Sequence, residues 1–117
     1  MEEREGQKDY IKHIASSFNS NASLMIEAGT GICKTLGYLL PALKWSVDNN
    51  GVVVVSTKTK MLQQQILDSD MPKAKRLLHM DDVKAVKVQG RNNYLCIRKM
   101  DRFFTGVEMT DDFETKF

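Results

Sequence analysis

The chain has 117 residues, of which 42% are hydrophobic and 27% are charged, a balance that supports one domain with an apolar core and excludes a disordered chain. Its net charge of +2 is too small to indicate nucleic-acid binding by itself, and its two cysteines exclude a disulfide-rich secreted scaffold. The charged opening MEEREGQKDY does not fit a signal peptide, and no apolar stretch approaches the roughly 20 residues of a membrane span, so we expect a cytoplasmic protein with no membrane partner.

The first half of the chain alternates helix-like and strand-like segments. Apolar residues at helical spacing predict a helix over 9–18, and the letters SLMIEA at 23–28 predict a short buried strand. A second helix should begin near Lys34. We expect it to continue through Pro41 with a kink. Pro41 cannot donate a hydrogen bond to the carbonyl of residue 37, and its ring crowds that turn, but residue 37 is glycine and leaves some room.

The second half continues the alternation. The β-branched run GVVVVS at 51–56 is typical of a strand buried on both faces. Helices should follow Thr59 and Asp70, each of which can act as an N-cap. A third strand is predicted over 83–90 and a last helix over 94–104. Short strands alternating with helices predict an α/β fold of three layers with a mostly parallel sheet.

The segment AGTGICKT nearly matches a phosphate-binding loop. In such a loop, backbone N–H groups surround the phosphates, the lysine brings a cation to them and the next hydroxyl binds Mg²⁺. We therefore expect Lys34 and Thr35 to be catalytic, with Thr35 as the Mg²⁺ ligand. The expected nucleotide-binding residues of the loop are Ala28, Gly29, Thr30, Gly31, Ile32, Cys33, Lys34 and Thr35.

Cys33 stands where the pattern requires glycine. Glycine lets the backbone approach a phosphate with no Cβ in the way, so we expect weakened ATP binding or turnover. A thiol beside a lysine at a helix N-terminus is also a candidate for oxidation. The alternative for the whole segment is a glycine-containing turn with an accidental Lys-Thr pair.

Four stretches together go beyond a generic nucleotide binder. They are REGQ (4–7), EAGTGICKTLGYLLPA (27–42), VVVSTKTKMLQQQIL (53–67) and GRNNYLC (90–96). In this order the chain resembles the opening portion of DinG-like DNA helicases, the iron–sulfur group of superfamily 2 to which XPD is related. The resemblance extends to about Phe104.

The resemblance implies a partial RecA-like P-loop NTPase domain. Residues 1–117 would be the N-terminal part of the first RecA-like ATP-binding domain, with 90–117 entering the iron–sulfur region. The full-length protein would couple ATP hydrolysis to DNA unwinding. Arg4 and Gln7 would contact the adenine side of ATP, although alone they read as a solvated helix N-terminus.

The resemblance also implies contacts to DNA and to a metal cluster. Single-stranded DNA would be bound by Ser56, Thr57, Lys58, Thr59 and Arg91. Taken alone, the residues at 56–59 equally suit a strand end and a helix cap. Cys96 would be the first of four cysteines holding a [4Fe–4S] cluster. No cysteine follows it in this sequence, so the cluster would form only in the full-length protein.

Several parts of a helicase are not found in this sequence: an Asp-Glu-x-His segment, a second RecA-like domain and an arginine finger. We therefore expect a fragment that is inactive alone and needs the remainder of the helicase chain. The second hypothesis is a catalytically inactive module that binds nucleotide or single-stranded DNA through a degenerate loop. The third is a stand-alone P-loop kinase or GTPase.

Overall fold

The computed structural model of the chain describes residues 5–29 and 33–105. The described residues divide into two compact units, with the boundary between Lys87 and Val88. Their α-helices are α1 (Glu5–Ser20), α2 (Lys34–Asp48), α3 (Lys60–Gln65), α4 (Met71–Leu78) and α5 (Ile97–Phe104). A π-helical turn (Ile66–Asp70) joins α3 to α4, and a 3₁₀ turn (Arg91–Asn93) precedes α5. None of these helices is long and apolar enough to cross a membrane.

The predicted three-layer α/β fold with a mostly parallel sheet, the partial RecA-like domain, is wrong for the described residues. They contain no strand, and the segments 23–28, 51–56 and 83–90 have no regular secondary structure. A helix closes hydrogen bonds within its own sequence, whereas a strand forms only against a neighbouring strand. The valines of the second segment, Val52 and Val54, are 89% and 86% exposed, so no second layer covers them.

Helix α2 is the central element of the first unit. It runs from Lys34 to Asp48 without interruption at Pro41, in agreement with the single helix predicted from the apolar spacing. Its buried side includes Leu39 and Leu43. Lys44 Nζ lies 2.8 Å from Asp48 Oδ1 on the exposed side, one turn further along the helix.

Helices α1 and α2 approach each other closely at Gly37. A Cβ built on Gly37 would lie 2.6 Å from Cδ1 of Tyr10, so the aromatic ring rests on the helix backbone. Towards the other end of the contact, the rings of Phe18 and Trp45 have centroids 5.6 Å apart and planes inclined by 32°. An aromatic pair at this distance adds to the burial of apolar area.

The core of the first unit lies between α2, the π-helical turn and α4. It is formed by Leu39, Leu43, Ile66 and Ala74. Asp70 is also buried, and its Oδ2 lies 3.5 Å from Nε2 of Gln65. Asp70 occupies the predicted N-cap position of α4, but its side chain makes no capping hydrogen bond. Its carboxylate accepts from the Gln65 amide instead.

The described part of the second unit, 88–105, contains a closed turn and α5. The carbonyl of Gly90 accepts hydrogen bonds from the backbone N of Asn93 at 2.9 Å and from its Nδ2 at 3.1 Å. The hydroxyl of Tyr94 accepts one from the backbone N of Gln89 at 2.9 Å. These local bonds give the letters GRNNY a defined shape before α5 begins at Ile97.

We expect Gly37→Ala to destabilise the chain. The new Cβ collides with the Tyr10 ring at 2.6 Å, an overpacking that costs about 1–3 kcal/mol, of which the better helix propensity of alanine returns up to about 1 kcal/mol. Urea unfolding followed by circular dichroism measures the change. Gly29→Ala is the matched control, because a Cβ at Gly29 meets no atom within 4 Å. An unchanged midpoint for Gly37→Ala would contradict the packing described.

Candidate nucleotide and DNA site

The predicted catalytic residues lie at the N-terminus of α2. Lys34 is the first residue of the helix and its side chain is exposed, while Thr35 is half-buried. The free backbone N–H groups and the positive end of a helix dipole favour an anion at such a position. Thr30, Gly31 and Ile32, in the middle of the predicted loop, lie outside the described residues, and so does Arg4.

Cys33 has a left-handed backbone, with φ 39° and ψ 55°, at the N-cap of α2. An L-residue in this region costs roughly 1–2 kcal/mol, a cost that glycine avoids. Its carbonyl still accepts the hydrogen bond from the N–H of Gly37 at 3.1 Å, which begins the helix. The position therefore favours glycine for a conformational reason, in addition to the reason of phosphate access inferred from the pattern.

Thr35 and Tyr38 lie three residues apart on α2, a spacing that places both side chains on one face of the helix. Burial raises the pKa of the Tyr38 phenol above its ordinary value, and the Thr35 hydroxyl works in the opposite direction. The nearby Asp70 carboxylate and the Tyr10 phenol raise the pKa further.

The other predicted nucleotide contacts in the described residues lie near α1 and at the end of 22–29. Gln7 is half-buried in the first turn of α1, three residues before Tyr10, whose ring contacts α2 at Gly37. Ala28 is half-buried and Gly29 is exposed. The packing of α1 on α2 thus brings the helix that carries Gln7 against the helix that carries Lys34 and Thr35.

The predicted DNA-binding residues of the first unit form the entry to α3. Thr59 is the N-cap, as predicted, and its Oγ1 accepts a hydrogen bond from the N–H of Leu62 at 3.2 Å. Thr57 Oγ1 donates to the carbonyl of Thr59 at 3.2 Å. Ser56 and Lys58 are exposed. Thr57 and Thr59 therefore stabilise the turn, and Thr59 is exposed as well.

The remaining two candidates belong to the second unit. Arg91 is exposed in the 3₁₀ turn. Cys96 is an exposed free thiol at the N-cap of α5. The backbone N–H of Lys99 is the largest influence and lowers the pKa of this thiol; desolvation raises it, and the N–H of Arg98 and the charges of Arg98 and Lys99 lower it further. Across 5–29 and 33–105, no three histidine, cysteine, aspartate or glutamate side chains are grouped to hold a metal ion.

Tyr38, half-buried on α2 near Thr35, is a residue that sequence reasoning did not consider. The available signal was its spacing from Thr35, because residues three apart lie on the same face of a helix. That spacing becomes informative only when the register of α2 is known.

The chain is similar to several known proteins. It is 37% identical over 101 residues to a Bacillus subtilis protein named 3'-5' exonuclease DinG, an alignment covering 86% of this chain and 11% of that protein. It is 35% identical over 112 residues to the ATP-dependent helicase DinG of Mycobacterium tuberculosis, covering 93% of this chain and 17% of the relative. It is also 35% identical over 99 residues to the ATP-dependent DNA helicase YoaA of Haemophilus influenzae, an alignment covering 85% of this chain and 15% of that protein.

These similarities confirm the resemblance that the four stretches indicated. The chain spans 11–17% of the lengths of these three relatives. No protein-family model and no solved structure matches it. The names of the relatives include both an exonuclease and helicases, so the activity of a whole protein does not follow from the similarity alone.

We expect Thr59→Ala to lower the stability of the chain by about 0.5–2 kcal/mol, because it removes the acceptor for the Leu62 N–H. Lys58→Ala is the matched control, since its exposed side chain does not cap the helix. Thermal unfolding followed by circular dichroism distinguishes the two variants. Equal melting temperatures for both would show that the Thr59 cap contributes nothing.

We expect Cys96 to be alkylated faster in the folded chain than in the unfolded chain at neutral pH. Its lowered pKa leaves a larger thiolate fraction at any pH below the ordinary thiol value. Iodoacetamide kinetics between pH 6 and 10 would be followed in a Cys33→Ser variant, with and without urea. The folded chain should show the lower midpoint, and coincident midpoints would contradict the contacts at the start of α5.

Proposed function

Because this chain belongs to the DinG-like helicases, we propose that it binds ATP with Mg²⁺ through the segment from Ala28 to Thr35. The observation that carries the proposal is similarity over 85–93% of the chain to proteins named ATP-dependent helicases. The N-terminus of α2 supports it, because Lys34 and Thr35 occupy its first turn. In a longer helicase this segment would take part in coupling ATP hydrolysis to DNA unwinding.

The proposed roles follow the chemistry of the side chains. Lys34 places a cation beside the terminal phosphates, and Thr35 contributes a hydroxyl oxygen to Mg²⁺. The loop before them, from Ala28 to Cys33, offers backbone N–H groups to the phosphates. On the adenine side, Arg4 and Gln7 complete the site, since a glutamine amide offers one donor group and one acceptor to a purine edge.

Single-stranded DNA is the second proposed partner. Lys58 and Ser56 are exposed at the entry to α3 and are suited to contact a phosphate backbone. Thr57 and Thr59 stabilise, through their hydrogen bonds, the turn that carries Ser56 and Lys58. Arg91 is an exposed cation in the second unit and is proposed as a further backbone contact.

The residues of this chain do not fit a [4Fe–4S] cluster by themselves. Such a cluster needs four thiolates, and the sequence contains two cysteines. Cys96 is exposed, and the described residues offer no group of three metal-ligating side chains. A role for Cys96 as a cluster ligand therefore requires cysteines from the remainder of a longer helicase chain.

A second candidate function is a catalytically inactive module that still binds nucleotide or single-stranded DNA. The observation that favours it is the left-handed backbone of Cys33, at a position where the phosphate-loop pattern has glycine. A side chain here adds a Cβ next to the proposed phosphate position. Binding would persist in weakened form, whereas hydrolysis would suffer more, because it depends on accurate placement of the phosphate.

Titration with a fluorescent ATP analogue tests the proposal. We expect Cys33→Gly to bind on the order of tenfold more tightly than the natural chain, a factor that corresponds to about 1.4 kcal/mol. Cys33→Ala is the matched control, because it removes the thiol but retains the Cβ and should bind like the natural chain.

Lys34→Ala should abolish binding in the Cys33→Gly background, because it removes the proposed phosphate cation. ATP hydrolysis by Cys33→Gly but not by the natural chain would favour the inactive module for the natural sequence. The absence of nucleotide binding by every form would overturn both candidate functions as far as they concern ATP.

A further inference from the structure

We infer that a groove beside α4 binds the phosphate backbone of single-stranded DNA through Lys75 and Arg76. The inference rests on the proposed function, since single-stranded DNA is the proposed partner, and it adds a binding surface on a helix that carries none of the contacts proposed above. We call this surface the α4 groove. It is lined by Leu67, Met71, Pro72, Lys75, Arg76, Asp81 and Ala85.

The α4 groove is formed by two parts of the first unit, the helical turns at 67–76 and the segment 81–85. Its volume of about 420 Å³ lies within the range of ligand-binding clefts, roughly 300–1,000 Å³. The Nζ of Lys75 donates a hydrogen bond to the backbone carbonyl of Asp81 at 3.4 Å, and this contact joins the two sides. The groove therefore depends on tertiary packing and is more than the surface of one helix.

The cations of the α4 groove are available to a ligand. Helix α4 has three basic residues and no acidic residue. Arg76 is exposed and Lys75 is half-buried. Neither side chain forms an ion pair with a carboxylate of the residues that the structure describes. Their charges are therefore not neutralised by a direct contact within the first unit.

Further charges surround the groove. Lys73 and Lys84 are exposed, and each is the chain neighbour of a lining residue. Asp81 and Asp82 are the acidic residues of the adjoining turn, and both are exposed. Four cations thus stand against two carboxylates in 73–84, whereas basic and acidic residues are nearly balanced in the chain as a whole. An anion is favoured at this surface.

The packing of the first unit fixes how α4 presents these cations. Ala74 is fully buried, and Met71 and Leu78 pack against the core. These three residues determine the rotation of the helix about its axis. Lys73 and Arg76, three residues apart, are both exposed and lie on the side of α4 that the core does not occupy.

The lining of the groove suits a nucleic-acid strand. The guanidinium of Arg76 can donate two parallel hydrogen bonds to one phosphate, and the Lys75 ammonium adds a point charge. The apolar side chains of Leu67, Met71 and Pro72 offer a surface to the sugar and base of the same nucleotide. Grooves that combine positive charge with contacts to bases are typical of single-strand binding.

The position of Lys75 and Arg76 in the last turn of α4 allows a second, purely structural role. Cations there interact favourably with the negative end of the helix dipole. Such a role affects the stability of the chain and not its affinity for DNA. Unfolding of each variant in urea, followed by circular dichroism, therefore accompanies the binding measurements.

The first test measures the fluorescence anisotropy of a fluorescein-labelled oligo-dT titrated with the full chain at several salt concentrations. For Lys75→Gln/Arg76→Gln we expect the slope of log affinity against log salt to be shallower by about 1.4, because each single-strand phosphate contact contributes about 0.7. Over one decade of salt this difference amounts to about 25-fold in affinity. Lys12→Gln/Lys44→Gln is the matched control, because it also removes two exposed cations, on α1 and α2, and should keep the natural slope.

The second test separates the groove from general attraction to a basic surface. Ala85→Glu places a carboxylate at the lining of the groove and should weaken binding of oligo-dT on the order of tenfold at about 0.1 M salt. Val86→Glu is the matched control, because it makes the same change of charge at the next residue, which is 84% exposed and does not line the groove. Val86→Glu should lose clearly less affinity than Ala85→Glu.

Three results would overturn the inference alone. They are an unchanged salt slope in Lys75→Gln/Arg76→Gln, equal losses in Ala85→Glu and Val86→Glu, and binding of a poly-glutamate peptide as tightly as oligo-dT. Loss of affinity in the groove variants with Lys58→Gln unaffected would support the inference and remove Lys58 from the proposed DNA contacts. Failure of the natural chain to bind oligo-dT at about 0.1 M salt would overturn the DNA part of the proposed function, and the inference with it.

Discussion

The close approach of α1 to α2 at Gly37 is the contact on which the first unit depends. Only a residue without a side chain lets the Tyr10 ring rest on the backbone of α2, as the 2.6 Å separation from a built Cβ shows. With α1 on one side and the core under α4 on the other, α2 is fixed in rotation. That rotation determines which residues of its first turn face solvent and which face the interior, so that Lys34 is exposed while Thr35 is half-buried.

The backbone before α2 gives a physical meaning to the departure from the phosphate-loop pattern. A glycine at position 33 would serve two purposes, since it admits a phosphate and it adopts the left-handed region without strain. Cys33 has retained the left-handed conformation, with φ 39°, although its side chain makes that conformation costly. Under the proposed function, the backbone conformation and the access of a phosphate would both favour glycine at this residue.

The entry to α3 shows why residue types alone leave function open. Thr57 and Thr59 have hydroxyl groups that suit a DNA phosphate, yet in the structure each makes a local hydrogen bond that shapes the turn. Lys58 lies between them and is exposed. The same hydroxyl groups suit both tasks, because a hydroxyl can accept a hydrogen bond from a helix N–H group and can donate one to a phosphate oxygen. The structural duty of the threonines and the proposed binding duty of the lysine are therefore compatible in one short segment.

Local interactions account for what the sequence by itself determined. Apolar spacing, the Thr59 cap and the start at Lys34 predicted the helices, because a helix forms its hydrogen bonds between residues four apart. The ordered motifs also sufficed to predict the similarity to DinG-type helicases that the relatives confirm. Tertiary structure decided what depends on distant partners: the β-branched run at 51–56 remains without strand structure, because alternation in sequence cannot supply a neighbouring strand. It also decided that the Tyr10 ring lies on the backbone of α2 at Gly37, because that contact joins two helices that are distant in the sequence.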